Sequence, residues 1–169
     1  MNPQPKILSP KEAFKACFSA VAGYLGRPSA ETVLFADPLV FVCRTPHPLQ
    51  DRQSITWSDL RDTDLVGVSS FVATRLTMDY QLAKRNLRVQ VKYEVQHHAT
   101  AVNLVAAGVA STILPSSTIR EGDRPGIRKI ALGGPTVKRR VVLLRARQGS
   151  LSPAAEAFHA LIRKSPLVL

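Results

Sequence analysis

Cysteine and tryptophan are scarce in this chain, and no long hydrophobic run occurs in it. Its two cysteines, Cys17 and Cys43, sit among apolar neighbours; they make no disulfide framework and no metal-ligand spacing. The longest uncharged apolar-rich stretch runs from Ala99 to Ile119, but Asn103, Gly108 and Pro115 divide it into a helix and then a strand. It is not a membrane span. Lys6, Lys11 and Lys15 stand near the start, with no apolar segment and small-residue cleavage site after them, so no secretory signal is expected. These absences lead to an expectation of a cytoplasmic globular domain with no cofactor, no metal and no membrane partner.

Acidic residues are also few, 12 against 23 lysines and arginines, which leaves a net charge of +11. Eight of those net charges fall in residues 120–169. Such an excess draws nucleic acid or small anions. In "KRRVVLLRAR", however, the cations alternate with aliphatics as the flanks of a strand would, and no aromatic is interleaved for base stacking. Direct, specific DNA binding by this chain is therefore not expected, and a solvated basic face is.

What the chain does have is regular punctuation. In "SPKEAFKACFSAVAGYLGRP", Ser9, Pro10 and Glu12 open a helix over about residues 10–25, which Gly26 and Pro28 close. Leu39 to Cys43 is a continuous apolar run suited to a buried strand, stopped by the prolines around His47. "TWSDLRD" reads as a helical turn capped by Thr56 or Ser58, and Leu65–Val68 as a strand. Residues 71–85 fit a helix ended by Asn86, and "RVQVKYEV" alternates as a strand. Residues 98–107 form a second helix closed by Gly108. "STILP", "GIRKIAL" and "RRVVLLRAR" are further strands, and a last helix follows Ser152 and Pro153. Strand and helix alternate between residues 65 and 114, which argues for an α/β fold with a mainly parallel sheet of about five strands.

Parallel sheets bind ligands where their strands end, beside helix N-termini that present unpaired amides. Ser69, Ser70, Gln96, His97, Ser116 and Ser117 each follow a predicted strand, so they are expected to gather at one edge. That rim suits a small anion or polar metabolite. It assembles no nucleophile, base and acid, and an enzyme is not expected.

In order, "DPLVFVCRTPHPL", "ITWSDLRDTDLVGV", "LVAAGVASTILPSS" and "RRVVLLRARQGSLSPAAEAFHALI" span residues 33–164. In that order and spacing they resemble the C-terminal effector-binding domain of LysR-type transcriptional regulators. The resemblance implies a periplasmic-binding-protein-like fold (type II) of two α/β lobes with a small-molecule effector between them. It also implies homo-oligomers or association with related regulators. Mapped here, it makes residues 51–148 one complete second lobe. Residues 38–50 and 149–169 become a remnant of the first lobe, and residues 1–37 an unmatched segment. The candidate contacts by position are Ser69, Ser70 and Phe71 after the first strand of that lobe, Gln96 and His97 at the opening of the next helix, and Leu114 and Pro115 at the strand end. Residues 1–32 match neither a helix-turn-helix nor the strands of a first lobe, so the expectation is a truncated regulator. The alternative is a subunit that acts only by associating with full-length regulators, or a non-functional remnant.

Other residues have plainer readings beside the functional ones. His97 and His98 are adjacent and so point apart, which suits a surface pair better than a metal site. Cys43 and His47 form a thiol–imidazole pair on paper, but the flanking prolines make His47 a connector residue. Trp57 either stacks on an effector or packs the first turn of the second lobe, and packing is the more usual role.

Overall fold

The structure, a computed structural model, describes residues 29–70, 72–120, 122, 124–146 and 150–164. The expected helix over residues 10–25, with Cys17, lies outside them. Strand β1 (Ser29–Arg44) carries the apolar run from Leu39 to Cys43. Its residues alternate between two faces, and both faces are buried. Leu39, Phe41 and Cys43 enter one core cluster with Trp57, Leu65, Met78, Leu82 and Ile130, while Val40 and Val42 enter another with Val66, Val68, Val102, Val105 and Leu114. Only a central strand buries both faces in this way.

The neighbours of β1 follow from that position. Strands β2 (Ser54–Thr56), β3 (Leu65–Val68), β4 (Tyr93–Val95), β5 (Ser111–Pro115) and β6 (Ile127–Gly133) line up in the order β2-β6-β1-β5-β3-β4. Strand β7 (Lys138–Ala146) pairs with β1 off that path. β3 is parallel to β4 and to β5, and β2 is parallel to β6. β1 runs antiparallel to β5 on one side and β6 on the other. Five strands thus share one direction, with β1 reversed among them.

This corrects two expectations. The expected core of about five parallel strands is present, but the sheet is mixed and seven-stranded, with β1 antiparallel among them and β7 paired to β1. Leu39–Cys43, assigned above to a remnant of a first lobe, lies in the middle of the same sheet as β3 to β6. The physical reason is the double-sided burial of the run. The expected long strand "RVQVKYEV" is also cut to Tyr93–Val95 at the sheet edge. Val89 instead packs against the cluster around Phe41.

Helix α1 (Ala73–Ala83) and helix α2 (His98–Ala106) cover opposite faces, since Met78 and Leu82 join one cluster and Ala101, Val102 and Val105 the other. Their ends are as the sequence foretells. Asn86, at φ 55°, closes the turn after α1, and Gly108, at φ 75°, follows α2. Between β2 and β3, Trp57–Leu60 forms a 3-10 turn in which Asp59 Oδ2 accepts from Thr56 N at 2.7 Å and Thr56 Oγ1 at 2.8 Å. Trp57 is buried, and its Nε1 donates to Pro135 O at 2.7 Å, so it packs the lobe.

The chain divides into two compact units. One is residues 35–141 and contains both clusters. The described part of the other is residues 29–34, 142–146 and 150–164. Its helix α3 (Pro153–Lys164) starts as expected, with Ala155 N donating to Ser152 Oγ at 3.3 Å. Phe158 and Leu161 on α3 are exposed.

Candidate functional site

Because β3, β4 and β5 run in one direction, their carboxyl ends meet at one edge of the sheet. Val68 pairs with Val95, and Ser69 N continues the ladder to Val95 O at 2.9 Å. The chain leaves β3 toward β4 and leaves β5 toward β6, on opposite sides. Connections that part in this way open a crevice between the two strand ends, where such sheets hold ligands.

Ser69, Ser70, Gln96, His97 and Pro115 all come to this edge, joined by Ser116 and Ser117 in a short 3-10 turn. Their availability differs. Ser70, Gln96 and His97 are exposed, whereas Ser69 is only 3% exposed. The side chains of Leu114 and Pro115 are buried in the sheet, so they offer backbone groups alone. Phe71 lies outside the described residues.

Helix α2 also begins here. His97 has extended backbone at the cap, and the first amides of the helix have no carbonyl of their own turn to bond. They give the edge a partial positive charge. His98, the first residue of α2, keeps its Nε2 buried with no hydrogen-bond partner among the described residues. Burial lowers its pKa, and the charge of Arg139 lowers it further.

Arg139 was not foreseen as part of the site. Asp37 in β1 is fully buried (0% exposed) at this same edge, two residues before Leu39, which pairs with Pro115. Its Oδ1 accepts from Ser117 N at 3.1 Å, and its Oδ2 accepts from Ser117 Oγ at 2.6 Å and Arg139 Nε at 2.9 Å. Arg139 Nη2 lies 2.9 Å from the same Oδ2 and donates to Ser117 Oγ at 3.1 Å. The sequence held two signals. An acidic residue leads directly into an apolar strand, where a buried carboxylate needs a cation. In addition, alternation along "KRRVV" turns Arg139 to the face opposite Lys138 and Arg140.

The opposite edge holds a cavity of about 730 Å³ between Arg44, His47, Asp59, Asp62, Asp64 and Gly108. It suits an anion poorly. Three aspartates line it, and α2 ends there, at the negative end of its dipole. Asp59 and Asp64 are already engaged, by Thr56 and by Lys92. Nor is there a reactive thiol among the described residues. Burial pushes the Cys43 thiol up to about 11, and His47 Nδ1 is occupied in accepting from Leu49 N at 3.1 Å. His47 is a turn residue, packed on Phe41 with ring centroids 5.3 Å apart.

Two partly buried histidines, His47 and His98, contribute to the acid response. The pKa values of His47 and His98 are lowered from 6.5. A depressed value favours the neutral form in the folded state. The stabilisation is therefore complete above the ordinary histidine range and declines as pH falls toward the folded-state values. Thermal melts should show the melting temperature dropping from about pH 7.5 to pH 5. The double variant His47→Gln/His98→Gln should flatten that slope, and an unchanged slope would assign it to other groups.

Comparison with known proteins shows the family and the fold. The family model for the LysR substrate binding domain matches residues 21–166. The chain is 35% identical over 131 residues to the uncharacterized HTH-type transcriptional regulator YbhD of Escherichia coli (strain K12), covering 78% of this chain and 41% of the relative. It is 27% identical over 131 residues to the transcriptional dual regulator GltC of Bacillus subtilis (strain 168), covering 77% and 43%. The chain spans less than half the length of these relatives. Among solved structures, the fold matches the effector binding domain of QuiR in complex with shikimate, at TM-score 0.67 and 23% identity over 79% of this chain and 63% of that one. It also matches the Synechocystis PCC6803 CcmR regulatory domain in complex with 2-PG, at TM-score 0.69 and 21% identity, covering 80% and 66%. These likenesses establish the periplasmic-binding-protein-like α/β fold.

Proposed function

Since the chain belongs to the LysR substrate-binding domain family, we propose that it senses a small anionic metabolite at the carboxyl edge of β3, β4 and β5 and thereby regulates transcription. The observation that carries this reading is the convergence of three parallel strand ends on one crevice, beside the N-terminus of α2 and the Arg139 guanidinium. Ser70, Gln96 and His97 are its exposed polar contacts, with Ser69 and the backbone of Leu114 and Pro115 behind them. Relatives in complex with shikimate and with 2-PG support an effector of this size and charge. The same relationship supports a non-enzymatic, cytoplasmic protein that works as an oligomer or beside related regulators. No described helix is long and apolar enough to cross a membrane.

The test is a thermal-shift series with acetate, succinate, shikimate and 2-PG. A ligand at a hundredfold excess over its Kd adds about 2.7 kcal/mol to the native state, which a melting curve resolves easily. At least one of these anions should raise the melting temperature. Ser69→Ala/Gln96→Ala should abolish the rise, while Arg44→Ala/Asp62→Ala at the opposite edge should leave it intact. Flat curves across the series, or a rise lost only in the second double variant, would contradict the reading.

A further inference from the structure

We propose that Arg139 is the residue that receives the anionic group of the effector, presented for that purpose by the buried carboxylate of Asp37. The inference rests on the effector reading above and adds to it the group that recognises charge.

Arg139 has five N–H donors in a rigid planar fork. Nε and Nη2 are taken by Asp37 Oδ2 and Ser117 Oγ, while Nη1 has no partner among the described residues. The Arg139 side chain is 34% exposed, whereas that of Asp37 is 0% exposed. One end of the ion pair is therefore sealed in the protein and the other reaches solvent at the crevice. Ser117, directly beyond the β5 tip, belongs to the same network through both its amide and its hydroxyl. The charge of Arg139 is also felt by His98, at the first residue of α2. Arg139 thus stands where two other anion-attracting features meet, namely the strand-end hydroxyls and the helix N-terminus.

Anchoring on two sides is what an anion receptor requires. A free arginine would lose rotamer freedom on binding, whereas this one is already held by Asp37 and Ser117. A carboxylate or phosphate oxygen at the crevice would take the spare Nη1 N–H as a charge-assisted bond without breaking the pair.

The experiment measures binding of the full chain, by calorimetry, to shikimate and to its uncharged methyl ester. Two variants avoid leaving Asp37 as a buried lone charge. Arg139→Lys keeps the cation and loses the fork, and Asp37→Asn/Arg139→Gln removes both charges together. Wild type should prefer shikimate over the ester by roughly tenfold or more, the worth of one charge-assisted hydrogen bond. Both variants should melt cooperatively, with the preference reduced in Arg139→Lys and erased in the double variant. A preference kept in full by the folded double variant would overturn the role of Arg139 while leaving the effector site standing. If wild type binds neither shikimate nor 2-PG, succinate or acetate used in its place, the effector reading itself fails, and this inference with it.

Discussion

Replacing Arg139 with alanine should cost about 3 kcal/mol or more of stability and lower the melting temperature by roughly 10 °C or more. The cause is the carboxylate that remains. Asp37 is wholly buried, and without the guanidinium only Ser117 would still bond to it. An uncompensated buried charge is far more expensive than the pair was stabilising. For that reason Asp37→Asn/Arg139→Gln should recover most of the loss, because neutral amides keep the shape without the stranded charge. Chemical denaturation of the two variants against wild type measures the difference. Equal losses in the single and double variants would mean that the charge on Asp37 has little to do with it.

Phe41→Ala should be as damaging, at about 3–5 kcal/mol. Phe41 is fully buried in the central strand and belongs to the cluster of Leu65, Leu82, Ile130 and Leu132. Neighbours pinned by ladders on both sides of β1 cannot collapse into the space, so the cavity persists. His47 would also lose the ring it packs on, loosening the turn of Pro46 and Pro48. Phe41→Leu, which refills most of the volume, should cost less than half as much. Denaturant midpoints report both. A cost below about 1 kcal/mol for the alanine variant would show that the strand is not central.

Local signals in the sequence were enough to place most elements. Ser152 with Pro153, a hydroxyl at Thr56 or Ser58, and Gly108 after an apolar helix each name a boundary through a hydrogen bond or a backbone conformation that few other residues supply. The alternation of strands and helices from residue 65 to 115 likewise led to one edge for Ser69, Gln96 and Pro115. Long-range pairing was not legible. Leu39–Cys43 reads as a buried strand, but nothing local tells which sheet it enters, and its antiparallel place between β5 and β6 depends on partners about 70 to 90 residues away. The partnership of Asp37 and Arg139, 102 residues apart, was hidden for the same reason. Arg139 read as one more solvated cation in a basic strand, and only the fold separates it from Lys138 and Arg140. "RVQVKYEV" shows the converse. Its alternation is that of a strand, yet only its last residues find a partner in β3, and the valines before them go to other contacts.

The central claim is that anions settle at the carboxyl edge and not in the hollow at the opposite edge. Backbone amide chemical shifts, followed while shikimate or another anion that raises the melting temperature is titrated in, would decide it most directly. Shifts confined to residues 69–70, 96–100, 116–117 and the neighbourhood of Arg139 are the expected result. Shifts centred on Arg44, His47, Asp62 and Ala110, with the strand ends unmoved, would place recognition on the wrong side of the sheet for this account.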